Sequence, residues 1–201
     1  MRPTIADLLS RLWDLLLLNI LFLLTCIPVL TVGASLCALH SVSQQLAETG
    51  SAHIAADYFQ AFRQHFPGSL VPILGFFLGF GFLLFDILAA LSHTGGVFGF
   101  LGIAATVFAV VLYVLFLFFF PVSARFHPRA GETISYIALA FRSQPGICAG
   151  IILISLPFPF FALYSLFTAA AVAAFGLVIG FALMSYVKSY LFCRLFHLCP
   201  W

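Results

Sequence analysis

Side chains able to do chemistry are few in this chain, and their spacing decides against most of it. The six histidines are scattered and form no His-Glu-x-x-His pair. No Gly-x-Ser-x-Gly elbow and no glycine-rich phosphate loop occurs either, so the short motifs from which metalloproteases, serine hydrolases and nucleotide-binding enzymes are built are missing. The five cysteines, at 26, 37, 148, 193 and 199, are odd in number and irregular in spacing. They include no Cys-x-x-Cys pair and no companion histidine at zinc-finger distance. Four of them lie in apolar stretches, where a cysteine reads as a small buried hydrophobe kept reduced. His40, on the more polar side of its helix, reads as a structural hydrogen-bonder. The expectation is a protein that is not an enzyme, with no catalytic residue, no cofactor and no metal site.

Three charges in apolar surroundings remain: Asp14, Asp86 and Lys188. An ionisable group within a bilayer is costly, so it marks a path, finds a partner or reaches the headgroups. Asp86 reads either as a group on a solute path or as a residue close enough to the turn at His93 to reach the boundary. Asp14 and Lys188 are expected at the same boundary and are expected to pair, with Arg11, one helical turn before Asp14, as the competing local partner.

The elements that must position these groups are membrane helices. Of 201 residues, 64% are hydrophobic and 7% charged, against about 45–50% and about 25% in soluble domains. Twenty-six Phe and a mean hydropathy of +1.19 exceed what a small soluble core can cover. The lipid bilayer is the implied partner. A net charge of +2 with no basic run excludes nucleic acid. Met1-Arg2-Pro3, followed by Asp7, Arg11 and Asp14, lacks the pattern of a cleaved signal peptide. The fold class is all-α: a polytopic membrane helical bundle of five to six membrane helices with short amphipathic interfacial helices, forming one domain over 1–201.

The chain is organised around Cys26 to Ala34, where an apolar run breaks at Pro28 and restarts at Gly33. Pro28 removes a backbone donor and disfavours helix at Ile27, Gly33 permits conformations closed to other residues, and Ala34 allows close backbone approach. A helical hairpin over 5–47 follows. Residues 34–47 carry Ser41, Gln44 and Gln45 opposite Leu36, Leu39, Val42 and Leu46, too polar a set for lipid. That helix is either enclosed by neighbours or lies flat at the interface.

From 54 to 66, Tyr58, Phe59, Phe62 and Phe66 recur at helical spacing opposite Asp57, Gln60, Arg63 and Gln64, which predicts an interfacial helix closed by Pro67-Gly68. Spans follow over 70–91, 97–122, 146–167 and 168–196. Gly75-xxx-Gly79, Gly146-xxx-Gly150 and Gly176-xxx-Gly180 predict close helix contacts or a homo-oligomer. Ala61-Phe62-Arg63 before Pro67-Gly68 and Ala140-Phe141-Arg142 before Pro145-Gly146 hint at an internal repeat. With six helices every Lys and Arg falls on one side, which makes both termini cytoplasmic.

Ile27 to Ala34 after a Leu-rich helix, then Asp57-Tyr58-Phe59 with Phe62 and Phe66 before a span, and Pro121 to Phe126 ending the central span, resemble the YesL family of bacterial membrane proteins. Pro28, Thr31 and Gly33 are the resembling hairpin break. The resemblance covers nearly the whole chain and departs at Tyr58, where many members carry another aromatic. It implies a domain of unassigned function in the bacterial plasma membrane, a role around carbohydrate uptake beside ABC transporter components, and no catalytic residues.

Overall fold

The computed structural model describes residues 5–49, 53–92, 96–126, 130–157 and 166–197. Its helices are α1 (Ile5–Thr25), α2 (Val32–Thr49), α3 (Ile54–Ser92), α4 (Gly96–Phe126), α5 (Ala130–Ser143), α6 (Pro145–Ser155), α7 (Leu166–Phe175) and α8 (Phe181–His197). A 3-10 turn, Val29–Thr31, joins α1 to α2, and a π turn, Gly176–Gly180, joins α7 to α8. No strand occurs among the described residues.

Side-chain bonds fix the helix directions. Gln44 meets Pro121 and Glu48 meets Arg125 at the same sequence separation of 77, so α2 and α4 run parallel. His40 meets Ser185 and Cys193 meets Glu48 at a common separation of 145, so α8 is parallel to α2 as well. In the other sense, Arg11 reaches Tyr186 while Asn19 reaches Gly176, which makes α1 antiparallel to α8. Gln45 meets Asp57 and Gly33 meets Ser69, which makes α3 antiparallel to α2. The starts of α1 and α3 and the ends of α2, α4 and α8 therefore share one end of the bundle, where Arg11, Arg63 and Arg125 gather.

The enclosed arrangement of α2 is the one observed. Eleven of its residues are buried, among them Ser35, His40, Ser43 and Gln44, and α1, α3, α4 and α8 all pack against it. Apolar clusters surround it, a small one joining Cys37 of α2 to Ile73, Phe120 and Ala124, and two larger ones. One joins Leu15, Leu18 and Phe22 of α1 to Leu39, Val42 and Leu46 of α2 and Tyr58 of α3; the other joins Leu117, Phe118 and Val122 of α4 to Ile137, Ile151 and Phe192. Away from the basic end, α3 and α4 leave the bundle as a hairpin with large apolar side chains uncovered, including Leu78, Phe82, Phe85, Phe100 and Phe108. Lipid is the solvent that such a surface requires.

Several expected boundaries shift. The interfacial helix 54–66 and the span 70–91 are one 39-residue helix that passes through Pro67 and Pro72. Proline is tolerated inside membrane helices where neighbours hold the element in place. Here α2 and α4 bracket α3, and the His65 ring lies between the Ala61 carbonyl of α3, 2.8 Å from Nδ1, and the Ser123 carbonyl of α4, 3.2 Å from Nε2, with its N–H able to serve either. The same Pro-Gly pair breaks the chain at 145. Gln144 is non-helical (φ −142°, ψ 67°), Pro145 opens α6, and α5 and α6 meet at 108°. The two Ala-Phe-Arg stretches thus lead into different geometries, which removes the structural basis of a repeat.

The span expected to end at 122 continues through Pro121 to Phe126. The expected span 168–196 is α7 and α8 interrupted by the π turn. Of the expected span 146–167, α6 accounts for residues to Ser155, and 158–165 lie outside the described residues, as do His93 and Cys199. Among the described residues three helical stretches are long and apolar enough to cross a membrane, Ile54–Ala90, Gly99–Phe126 and Ala173–Cys193, or four if the bent pair α5–α6 is one span. The α2 helix, with Ser35, His40, Ser41, Ser43, Gln44 and Gln45 among its 18 residues, qualifies as a protein-enclosed helix and not as an apolar span.

Candidate functional site

The hairpin break and Tyr58, 30 residues apart in sequence, meet in space. Pro28 sets an extended backbone (φ −77°, ψ 123°) before the 3-10 turn. Its carbonyl then accepts the Thr31 N–H at 3.0 Å and the Thr31 hydroxyl at 2.6 Å. That hydroxyl also lies 2.5 Å from the Thr25 carbonyl, tying the end of α1 to the turn. The Thr25 hydroxyl in turn lies 2.5 Å from the phenol oxygen of fully buried Tyr58. A threonine at each side of the break thus satisfies the carbonyls that Pro28 and the end of α1 leave open.

Gly33 plays a different part from the one expected. It lies in the first turn of α2 with ordinary helical backbone, and what it supplies is closeness. A Cβ built there would stand 2.8 Å from the Ser69 carbonyl oxygen and 3.1 Å from Ile73 Cβ of α3. The aromatic face of α3 is also divided. Tyr58 is buried, Phe62 is half-buried against the same cluster, and Phe59 and Phe66 are exposed. Their rings form a ladder, Tyr58 to Phe62 at 6.5 Å and Phe62 to Phe66 at 5.9 Å. At the start of the helix, Asp57 accepts the His53 N–H at 2.9 Å, in the manner of a capping box, and the Gln45 amide at 3.0 Å, latching α3 to α2.

A second set of contacts was hidden in the sequence. Asn19, in the Leu-rich part of α1, is fully buried. Its amide donates to the Gly176 and Leu177 carbonyls at 3.1 and 2.9 Å, and its side-chain oxygen accepts the Ala182 N–H at 3.2 Å. A π turn leaves backbone groups off the ordinary helical ladder, and one asparagine serves both senses of that mismatch. The only signal available was its polarity amid leucines. Glu48, Arg125 and Cys193 form another unexpected cluster, with a Glu48–Arg125 ion pair and the Cys193 thiol 3.5 Å from the Glu48 carboxylate, at the basic end.

The intramembrane charges fall in separate places. Asp14 and Lys188 are not paired among the described residues. Tyr186 turns toward α1, where it accepts from Arg11 at 3.0 Å. Residues two apart on a helix point about 200° from each other, so Lys188 faces away from α1, toward His40 and Ser189 on the rim of a small central cavity. Asp86 is half-buried on the α3–α4 hairpin, beside Gly79, Phe82, Leu101 and Phe108 in an open groove of about 660 Å³. Within the chain, Gly79 packs on Leu112, whereas Gly75, Gly146 and Gly150 have open space before them. Gly176 and Gly180 pack on the rings of Phe181 and Phe175, beside the π turn.

His40 bonds Ser185 at 2.9 Å, as a structural hydrogen-bonder should. Among the described residues no three His, Cys, Asp or Glu side chains could hold a metal together.

The two ends of this constellation, the hairpin from Leu15 and α3 as far as Ile87, delimit one recognised stretch. Residues 15–87 match the family model "Protein of unknown function, DUF624". The match contains Asn19, the break at Pro28 to Gly33, all of α2, Tyr58 and Asp86, and it stops short of α4. No curated protein and no solved structure matches the chain.

Proposed function

We propose that the protein is a non-enzymatic accessory to carbohydrate uptake in the bacterial plasma membrane, docking beside components of a carbohydrate ABC transporter with both termini on the cytoplasmic side. The observation that carries this reading is the contrast between a closed centre and uncovered faces. The bundle closes around α2, and the cavity at its centre, about 10 Å³, is far below the roughly 300–1,000 Å³ of a small-molecule site. The flanks are the opposite: the α3–α4 hairpin and the Gly75 and Gly146–Gly150 faces stand open, and α5 presents Ile134 and Leu139 outward. Surfaces of this kind suit a partner subunit or a second copy. The gathering of Arg11, Arg63 and Arg125 at one end supports a cytoplasmic assignment for that end. The resemblance to the YesL family supplies the carbohydrate context.

One observation favours a second reading, a small-solute transporter or channel with Asp86 on its path: that carboxylate lines a groove of about 660 Å³ that opens sideways on the hairpin. A single comparison separates the two. Protein captured from native membranes through a C-terminal tag, reachable by protease only in inside-out vesicles, should bring carbohydrate ABC permease subunits with it, and proteoliposomes holding the protein alone should take up no sugar. Sugar uptake by those proteoliposomes, reduced in Asp86→Asn, would establish the transporter reading instead.

A further inference from the structure

At the heart of the bundle, hydrogen-bond donors outnumber acceptors. Lys188, Ser189 and His40 line the central cavity, which is otherwise walled by apolar side chains of α4, α6 and α8. Ser189 is 1% exposed, and its hydroxyl has no partner among the described residues. Buried polar atoms are nearly always bonded, so a stranded hydroxyl on a cavity wall points to something that fills the cavity. Lys188 offers three donors and no acceptor. The Lys188 side chain is partly buried, and among the described residues no carboxylate is paired with it: Glu48 is bound to Arg125 and Asp86 belongs to the remote hairpin. The carbonyl on this wall, that of Pro121, is engaged by the Gln44 amide at 3.1 Å.

We propose that this cavity is a binding site for a single monatomic anion of halide size, held by the Lys188 ammonium and the Ser189 hydroxyl with the His40 ring beside them. Size and polarity select it together. About 10 Å³ admits one water-sized occupant and excludes phosphate, carboxylates and lipid headgroups. Water would leave the ammonium without an opposite charge, whereas chloride accepts from the Ser189 hydroxyl and neutralises the ammonium. The site lies on α8 within two helical turns of Cys193, which touches Glu48 at the basic end, so an anion reaches it from the side where Arg11, Arg63 and Arg125 concentrate anions. This inference does not rest on the proposed accessory role.

Thermal unfolding in detergent tests it, with sodium chloride or bromide set against sodium gluconate at matched ionic strength. The midpoint should rise saturably with halide and stay flat with gluconate. In Lys188→Met the difference between the salts should vanish, whatever happens to overall stability. Ser189→Ala, which removes only the stranded hydroxyl, should raise the half-saturating chloride concentration by about tenfold, the loss of one hydrogen bond to a charged partner. Equal midpoints in halide and gluconate for the unaltered protein overturn the proposal. So does a halide effect that survives undiminished in both variants, because it would then arise elsewhere. Should Lys188→Met fail to fold, Ser189→Ala and the presence or absence of a bromide anomalous peak beside Lys188 decide the matter.

Discussion

Asn19→Leu should lower the unfolding free energy in detergent by about 2–4 kcal/mol, although it replaces a polar residue with an apolar one inside a leucine-rich helix. Propensity and lipid solubility both favour leucine at this position, so the expected sign rests on hydrogen bonding alone. Interhelical bonds in membrane proteins average only about 0.6 kcal/mol and reach about 1.7. Asn19 makes three at once, to Gly176, Leu177 and Ala182. Its loss strands backbone groups of the π turn in the packed seam between α1 and α8, where water cannot replace it. Asn19→Asp keeps the acceptor, loses both donors and adds a buried charge, so it should be at least as harmful. Leu24→Ala, at an exposed position of the same helix, should change stability by about 0.5 kcal/mol. Chemical or thermal unfolding of the three variants checks the order, and a neutral or stabilising Asn19→Leu would show that the π turn holds without its plug.

Gly33→Ala and Gly75→Ala make the same chemical change in helices and should move stability in opposite directions. Helix propensity alone favours alanine by about 0.5–1 kcal/mol at either site. At Gly75 nothing stands within 4 Å of the new methyl group, so that gain should appear. At Gly33 the methyl meets the Ser69 backbone carbonyl at 2.8 Å, with the Ile73 and Ser69 Cβ atoms at 3.1 Å. A backbone atom cannot swing aside as a side-chain tip can. Either α2 and α3 separate or the turn at Pro28 to Thr31 distorts, and overpacking of this kind costs about 1–3 kcal/mol. Two stabilised variants would mean that the α2–α3 contact is looser than 2.8 Å implies.

What the sequence made legible follows from which forces act locally. The all-α membrane class rests on composition and is the class observed, and the break at Pro28 rests on backbone chemistry of adjacent residues. The enclosed state of α2 was legible as one of two alternatives, because Gln44 and Gln45 forbid lipid contact but do not say which neighbours shield them. Pro67 and Pro145 show the limit. Both precede glycine and both follow Ala-Phe-Arg, yet one lies within a continuous helix and the other starts a new one. The difference lies in α2 and α4 bracketing α3, together with the approach of His65 to Ser123 of α4, a contact between residues 58 apart.

The same reasoning explains the misplaced pair. Depth put Asp14 and Lys188 near one boundary, and Arg11 does meet Tyr186 at that level. Depth says nothing of rotation, and Lys188 points the other way around α8. Asn19 escaped because no local signal distinguishes a stray asparagine from one that completes a π turn 157 residues away.

The enclosure of α2 underlies every other feature, from the Tyr58 contact to the central cavity, and cysteine labelling in native membranes measures it directly. In a background lacking the native cysteines, Gln45→Cys, at an exposed position, should react promptly with a water-soluble maleimide, and Ser43→Cys, at a fully buried one, should react only after denaturation. A helix lying flat on the bilayer would turn His40, Ser43 and Gln44 toward water. Ser43→Cys labelling as fast as Gln45→Cys in the native membrane would contradict the enclosed α2 and the bundle built around it.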